Sequence, residues 1–260
     1  MNSSSTIASV YVDVGMKKAK LPYLKMLVLS IYAGMYIAAG GVISSVCSYG
    51  MSGGYSRFFK GITFPLGLML VCCTGAELFI GNCLLVMPLL CKKITIIEIL
   101  ISWGIVYIGN FIGGILMAVL VIYSHSTDLF NKNMAQTFIN DGFQKLSMSF
   151  DEAFVKGILC NFFVCLAVWL SFGAKDLFSK IIVIWMPIFL FVSCGLEHTV
   201  ANMFTIPAGL FASYEYNLER QRLNWGRFIY KNLIPDTLGN ILGGAVLVGI
   251  AYWYIYLTPN

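Results

Sequence analysis

Two glutamates stand in the middle of apolar stretches, and each keeps the same company. Gly75-Ala-Glu77-Leu-Phe-Ile80-Gly-Asn82 and Gly195-Leu-Glu197-His198-Thr199-Val-Ala-Asn202 place Gly, Glu and Asn at the same offsets, 120 residues apart (77 to 197). An unpaired acid at the centre of a bilayer costs about 3 kcal/mol or more, so acids at matched positions in two segments point to function. The chemistry open to these side chains is hydrogen bonding and proton exchange at membrane depth. His198 is one of two histidines, and an unperturbed pKa of about 6.5 makes imidazole the group suited to trading a proton near neutral pH. Desolvation favours the uncharged ring at rest, which can hydrogen-bond an arriving anion or hand it a proton. His125 falls in a hydrophilic loop and reads as solvated.

The elements that must position these groups are membrane spans. Of 260 residues, 58% are apolar and 11% charged, against about 25% charged in a soluble domain, so water is not the solvent for most of this surface. Runs of about 20 apolar residues cross a bilayer. Here they are Met26 to Cys47, Ile62 to Leu90, Ile94 to Tyr123, Phe154 to Phe172, Ile181 to Ala212 and Thr237 to Leu257. Six spans put both termini on one side. The expected organisation is a polar segment over 1–23, without a removable signal peptide, and a membrane domain over 24–257. With a cytoplasmic N-terminus, inside loops carry eight lysines and outside loops nine basic residues, Arg220 among them, so the positive-inside rule does not decide orientation. The net charge of +5 is spread over short loops. It gives no sign of a nucleic-acid partner and leaves the mouths of a pore electropositive. The eight cysteines form no C-x-x-C pair, and nearly all sit in apolar spans as small hydrophobes, so neither a metal nor a cofactor is expected.

A second repeat supports the first. Gly109-Asn110-Phe-Ile-Gly113-Gly114 in the third span matches Gly239-Asn240-Ile-Leu-Gly243-Gly244 in the sixth. Each copy, about 24–123 and 153–257, holds three spans, and an odd number inverts the second copy about an axis in the membrane plane. Spans two and five carry Pro65 and Pro88, and Pro187 and Pro207, on either side of the acidic motif. With a glycine between, each reads as two half-helices joined by a loop, which at that depth must be buried in protein or line an aqueous cavity. The N-termini of the second half-helices would attract anions. Glu77 and Glu197 could relay protons, but each lies one turn from loop N–H groups, which favours a structural clamp on those donors. Asn82 and Asn202 read as caps of the second half-helices. The G-x-x-x-G spacing suits close helix packing inside one subunit or, less specifically, between subunits. The interval Gly75 to Gly109 is 34 residues and Gly195 to Gly239 is 44; the extra length, Tyr214 to Lys231, reads as an amphipathic surface helix.

At these residues the chain resembles the formate/nitrite transporter family. Gly157-Ile-Leu-Cys-Asn161-Phe-Phe-Val164-Cys-Leu-Ala167 fits the family pattern throughout, and the two acidic motifs fit its mid-membrane loops. The resemblance implies an all-α, aquaporin-like six-span protomer with two broken helices, assembled as a homopentamer. Each protomer has its own pore for anions of weak acids such as formate, acetate and lactate, or nitrite and hydrosulfide, with proton transfer near His198 and a pH-dependent flux. It also implies lysines at the two mouths (Lys18, Lys156), Asn161 hydrogen-bonding the pore near the histidine, and two apolar constrictions from Phe64, Leu68, Leu78, Phe79, Val164 and Phe191. Ile80 departs from the family, which usually has Thr or Asn there, and takes a hydroxyl out of the pore loop. The expected setting is the plasma membrane, with cytoplasmic termini.

Readings from other classes find less support. Glu197 beside His198 is an acid next to a base, but two histidines, no H-E-x-x-H and no nucleophile motif leave a membrane enzyme without its constellation. A neutral-solute pore would carry Asn-Pro-Ala in its loops, and neither loop does.

Overall fold

Backbone groups in hydrocarbon must find partners inside their own segment, which makes helices the default for so apolar a chain. The computed structural model describes residues 2–219 and 222–259 and contains no strand among them; Arg220 lies outside the described residues. The helices are α1 (Ser4–Ala19), α2 (Tyr23–Cys47), α3 (Gly53–Thr63), α4 (Leu66–Thr74), α5 (Gly81–Leu90) and α6 (Ile96–Tyr123). They are followed by α7 (Asn133–Leu146), α8 (Phe150–Gly173), α9 (Leu177–Ser193), α10 (Thr199–Glu215) and α11 (Trp225–Leu257). Among the described residues, five stretches are long and apolar enough to cross a bilayer: α2, α3 with α4, α6, α8 and α11. The span expected over 181–212 is divided between α9 and α10, 17 residues each.

Two helices were not foreseen, and both belong to the duplication. The segment expected to be a polar tail forms α1, capped by the Ser3 hydroxyl on the Thr6 N–H. It buries Ile7, Ala8, Tyr11 and Val12, a stripe of helical period that four serines and threonines in the first six residues obscure. Tyr11 sets its ring edge on Phe172 at 5.4 Å, and the Asn2 N–H reaches the Gly173 carbonyl at 3.1 Å. In the loop after the third span, α7 buries Met134, Ala135, Phe138 and Ile139 in the same way. Lys18 ends α1 and Lys145 ends α7, 127 residues apart, and Leu29 in α2 and Lys156 in α8 share that offset. Each repeat is therefore an amphipathic helix followed by three apolar segments.

The segment Tyr214 to Lys231 is not the surface helix expected. α10 runs on to Glu215 and stops where Asn217 takes a left-handed φ of 51°. α11 starts at Trp225, its first turn capped by Asn224 accepting from the Arg227 N–H at 2.8 Å. The last span thus begins twelve residues before Thr237, because Arg227, Lys231 and Asp236 interrupt the apolar run on which its start was placed. Wider π turns over Phe228–Leu233 absorb the missing N–H of Pro235.

Glycines hold the repeats' long helices together inside the chain. A Cβ on Gly109 would strike Ser30 and one on Gly113 the Ile31 carbonyl, both in α2; on Gly239 and Gly243 it would strike the Phe154 and Ile158 carbonyls of α8. The G-x-x-x-G seams are therefore internal and are repeated in the two halves. Gly113→Ala should destabilise the protein by about 1–3 kcal/mol through overpacking. Gly104→Ala, on the same helix with open space around it, should be neutral or stabilising by up to about 1 kcal/mol. Thermal unfolding of the two variants in detergent checks this, and equal losses would refute the seam.

Candidate functional site

The chain breaks where glycine permits it and the prolines do not. Pro187 and Pro207 lie inside α9 and α10, while Gly75 (φ 75°) and Gly195 (φ 68°) adopt the left-handed turn that ends a helix. The Ala76 N–H returns to the Val71 carbonyl at 3.1 Å and the Leu196 N–H to Phe191 at 3.0 Å, so the two ends close in the same way. Each following loop is held by one asparagine. Asn110 Nδ2 donates to the carbonyls of Ser30 (2.8 Å) and Glu77 (2.9 Å), and its Oδ1 accepts the Phe79 N–H at 2.9 Å. Asn240 Nδ2 donates to Gly157 (2.8 Å) and Glu197 (3.0 Å), and its Oδ1 accepts the Thr199 N–H at 3.0 Å. The loop N–H groups of the two glutamates reach back to Leu29 and Lys156 carbonyls.

Glu77 and Glu197 are clamps, though with partners other than the backbone donors expected. Glu77 Oε2 pairs with Lys18 Nζ at 3.1 Å and accepts from Asn82 Nδ2 at 2.8 Å. Glu197 Oε1 pairs with Lys145 Nζ at 2.6 Å, and its Oε2 accepts from Asn202 Nδ2 at 2.8 Å. Asn82 and Asn202 thus fix the acids and do not cap; the cap of α10 is His198, whose Nδ1 accepts the Ala201 N–H at 3.0 Å. A backbone donor on Nδ1 leaves the hydrogen of a neutral ring on Nε2, an assignment made from the bond.

Two cavities approach this region. One, of about 640 Å³, is lined by Arg57, Lys60, Lys145 and Asn202 and ends at Phe64, Phe191 and His198. The other, of about 230 Å³, is lined by Lys18, Lys180 and Asn82 and ends at Leu68 and Leu78. They share no lining residue. Phe64 and Leu68, four residues apart in sequence, line one cavity each. Phe64 and Phe191 meet edge to face at 6.0 Å, and the His198 ring lies 6.3 Å from the first and 6.0 Å from the second.

Of the other residues singled out in the sequence, Phe79 packs on Tyr107 and Trp103 of α6, at 5.0 and 6.0 Å, and Val164 is fully buried; neither lines a cavity. Asn161 donates to the carbonyls of Ile80 (3.0 Å) and Asn240 (2.6 Å), and so holds a loop in place of the histidine. Ile80 is fully buried, with its carbonyl as the useful group. Thr199 hydrogen-bonds Thr237 at 2.9 Å. Lys156 lines neither cavity, and its Nζ turns to Glu152 at 2.8 Å on its own helix. The larger cavity is lined by Lys60 and Lys145, and Lys145, the ion-pair partner of Glu197, was missed by sequence reasoning because α7 read as loop. The 127-residue offset from Lys18 was the available signal.

The model of the family described as formate/nitrite transporter matches residues 5–254 of this chain. The chain belongs to that family. It is 42% identical to YrhG, an uncharacterized transporter of Bacillus subtilis, over 96% of this chain and 92% of that protein. It is 36% identical to the formate channel FocA of Escherichia coli, over 98% and 95% of the two. A solved pentameric formate channel with formate bound is similar with a TM-score of 0.79 and 34% identity, covering 91% of this chain and 98% of that one. The chain is an all-helical integral membrane protein of a transporter family, and an enzymatic reading is set aside.

The two candidate lysines of the larger mouth can be told apart by stability. Lys145→Met strands a buried carboxylate and should cost about 3–5 kcal/mol, most of it recovered in Lys145→Met with Glu197→Gln. Lys156→Met breaks an exposed helical pair worth about 0.3–0.5 kcal/mol. Thermal unfolding of the three variants checks the order.

Proposed function

We propose that the protein conducts small anions of weak acids, formate among them, and that each crosses the wall between the cavities as the neutral acid. The observation that carries this reading is the placement of His198. It ends the larger cavity beside two phenylalanine rings, with Nδ1 occupied and Nε2–H as the one ring donor left. An anion entering the cavity meets Arg57, which has no carboxylate partner among the described residues, and the ion-paired Lys60 and Lys145. Beyond it, apolar side chains offer a charge nothing. A carboxylate oxygen that accepts the Nε2–H bond while its other oxygen takes up a proton delivered from the external solution along cavity water becomes a neutral acid. That molecule then has the apolar wall between the cavities to cross.

The formate-binding relative supports formate as substrate and a homopentamer as the assembly, and we place both termini at the cytoplasmic face of the plasma membrane. On this reading Ile80, whose side chain is buried, affects selectivity through its carbonyl's bond to Asn161.

In proteoliposomes, uptake of labelled formate should rise as external pH falls. His198→Asn keeps a capping acceptor for the Ala201 N–H but loses the Nε2 donor, and should lower uptake about tenfold, the equivalent of one hydrogen bond to a charged group. Uptake indifferent to both pH and the substitution would remove the histidine from the path. Passage of glycerol without formate would replace the anion reading with a neutral pore.

A further inference from the structure

The two mirrored clusters differ by one buried acid. Asn110 and Asn240 are 130 residues apart, and by that offset Asp236 of α11 answers to Val106 of α6; both are fully buried. In the first repeat Glu77 is the one carboxylate on Lys18 and Asn82. In the second, Asn202 Nδ2 divides its hydrogens between Glu197 Oε2 (2.8 Å) and Asp236 Oδ2 (2.6 Å), so two carboxylates share one amide and one ammonium, Lys145. Asp236 Oδ1 has no hydrogen-bond partner among the described residues. Neither has the side chain of Asn232, one turn earlier on the same helix, fully buried and interacting with the Asp236 carboxyl.

Among the described residues no second cation faces Asp236. The titratable groups within electrostatic reach of Asp236 on α6 and α8 are Tyr107 and Cys160, both uncharged at neutral pH. Lys156 of α8 is taken by Glu152, and Lys60 by Asp141 of α7, each at 2.8 Å. Two like charges this close do not both ionise without compensation, and one ammonium and one shared amide are too little for two buried carboxylates, one of them with a bare oxygen.

We propose that Glu197 and Asp236 hold one proton between them, seated on Asp236 Oδ1 toward the Asn232 amide oxygen, and that this proton controls anion access to the larger cavity. With it, the second cluster is neutral, as Lys18 with Glu77 is. Without it, a net negative charge stands behind Lys145 and Asn202 at the cavity wall and repels the incoming anion. The mouth lined by Lys18, with Val106 in the matching place, has no such switch. The access claim rests on the cavity being an anion path; the proton site does not.

Infrared difference spectra of the full chain in lipid nanodiscs read the proton without transport. A protonated-carboxyl band at neutral pH should be present in the wild type and lost in Asp236→Asn and in Asp236→Val, which installs the side chain of the first repeat. It should also be lost in Glu197→Gln, where Asp236 no longer competes for Lys145. A band that survives Asp236→Asn, or is absent from the wild type, overturns the assignment. In proteoliposomes, formate uptake should fall as pH rises through the midpoint of that band, and Asp236→Val should move the fall upward by about one pH unit or more. An unmoved profile overturns the access role. Wild-type liposomes closed to formate at every pH would overturn the anion path and the access role together, with the spectra still deciding the proton site.

Discussion

A backbone group without water must be satisfied by protein, and the whole arrangement answers to that constraint. Two helices are interrupted within an apolar body, and each interruption exposes N–H and C=O groups that cannot be left bare. Asn110 and Asn240 meet the need with one side chain apiece, donating twice and accepting once. Asparagine suits the task because a single short amide presents two donors and an acceptor in one plane. The glycine seams then follow, since α6 and α11 must lie close enough to α2 and α8 for that short side chain to span loop and neighbour at once.

The acids impose a second requirement. Glu77 and Glu197 are buried to within a few per cent, and a buried carboxylate needs a cation as well as hydrogen bonds. The spans are too apolar to supply one. Lys18 and Lys145 come from the ends of α1 and α7, helices that cross nothing but lay their apolar stripes against the bundle. These helices complete the loops electrostatically, and the same lysines line the two cavities.

What the sequence disclosed and what it hid follow from this division. Repeated Gly-x-Glu and Gly-Asn-x-x-Gly-Gly patterns were legible because their function is local: a left-handed glycine, an amide beside a loop, a backbone contact. The break at Gly75 and Gly195 and the internal inversion could be read from them. Lys145 was harder to read, because its partner Glu197 is 52 residues away and its helix sits in a stretch whose polar residues, Asn131 to Asn133 and Gln136 among them, resemble loop. Asp236 was hidden for the opposite reason: lying near the start of a span, it reads as a residue at an interface until Asn202 is seen to bind it. Phe79 and Val164 line neither of the two cavities, because helix rotation decides which apolar residue faces a cavity, and that is a tertiary matter.

The halves are also stitched to each other. Asn161 of the second repeat holds the Ile80 carbonyl of the first, Cys165 approaches the same oxygen at 3.4 Å, and the Tyr107 hydroxyl of the first repeat meets Thr237 of the second at 3.0 Å. Tilting one half against the other, as rocking carriers do, would tear these buried contacts with no water on hand to replace them. These cross-repeat bonds tie the two halves into one body and resist a tilt of either against the other.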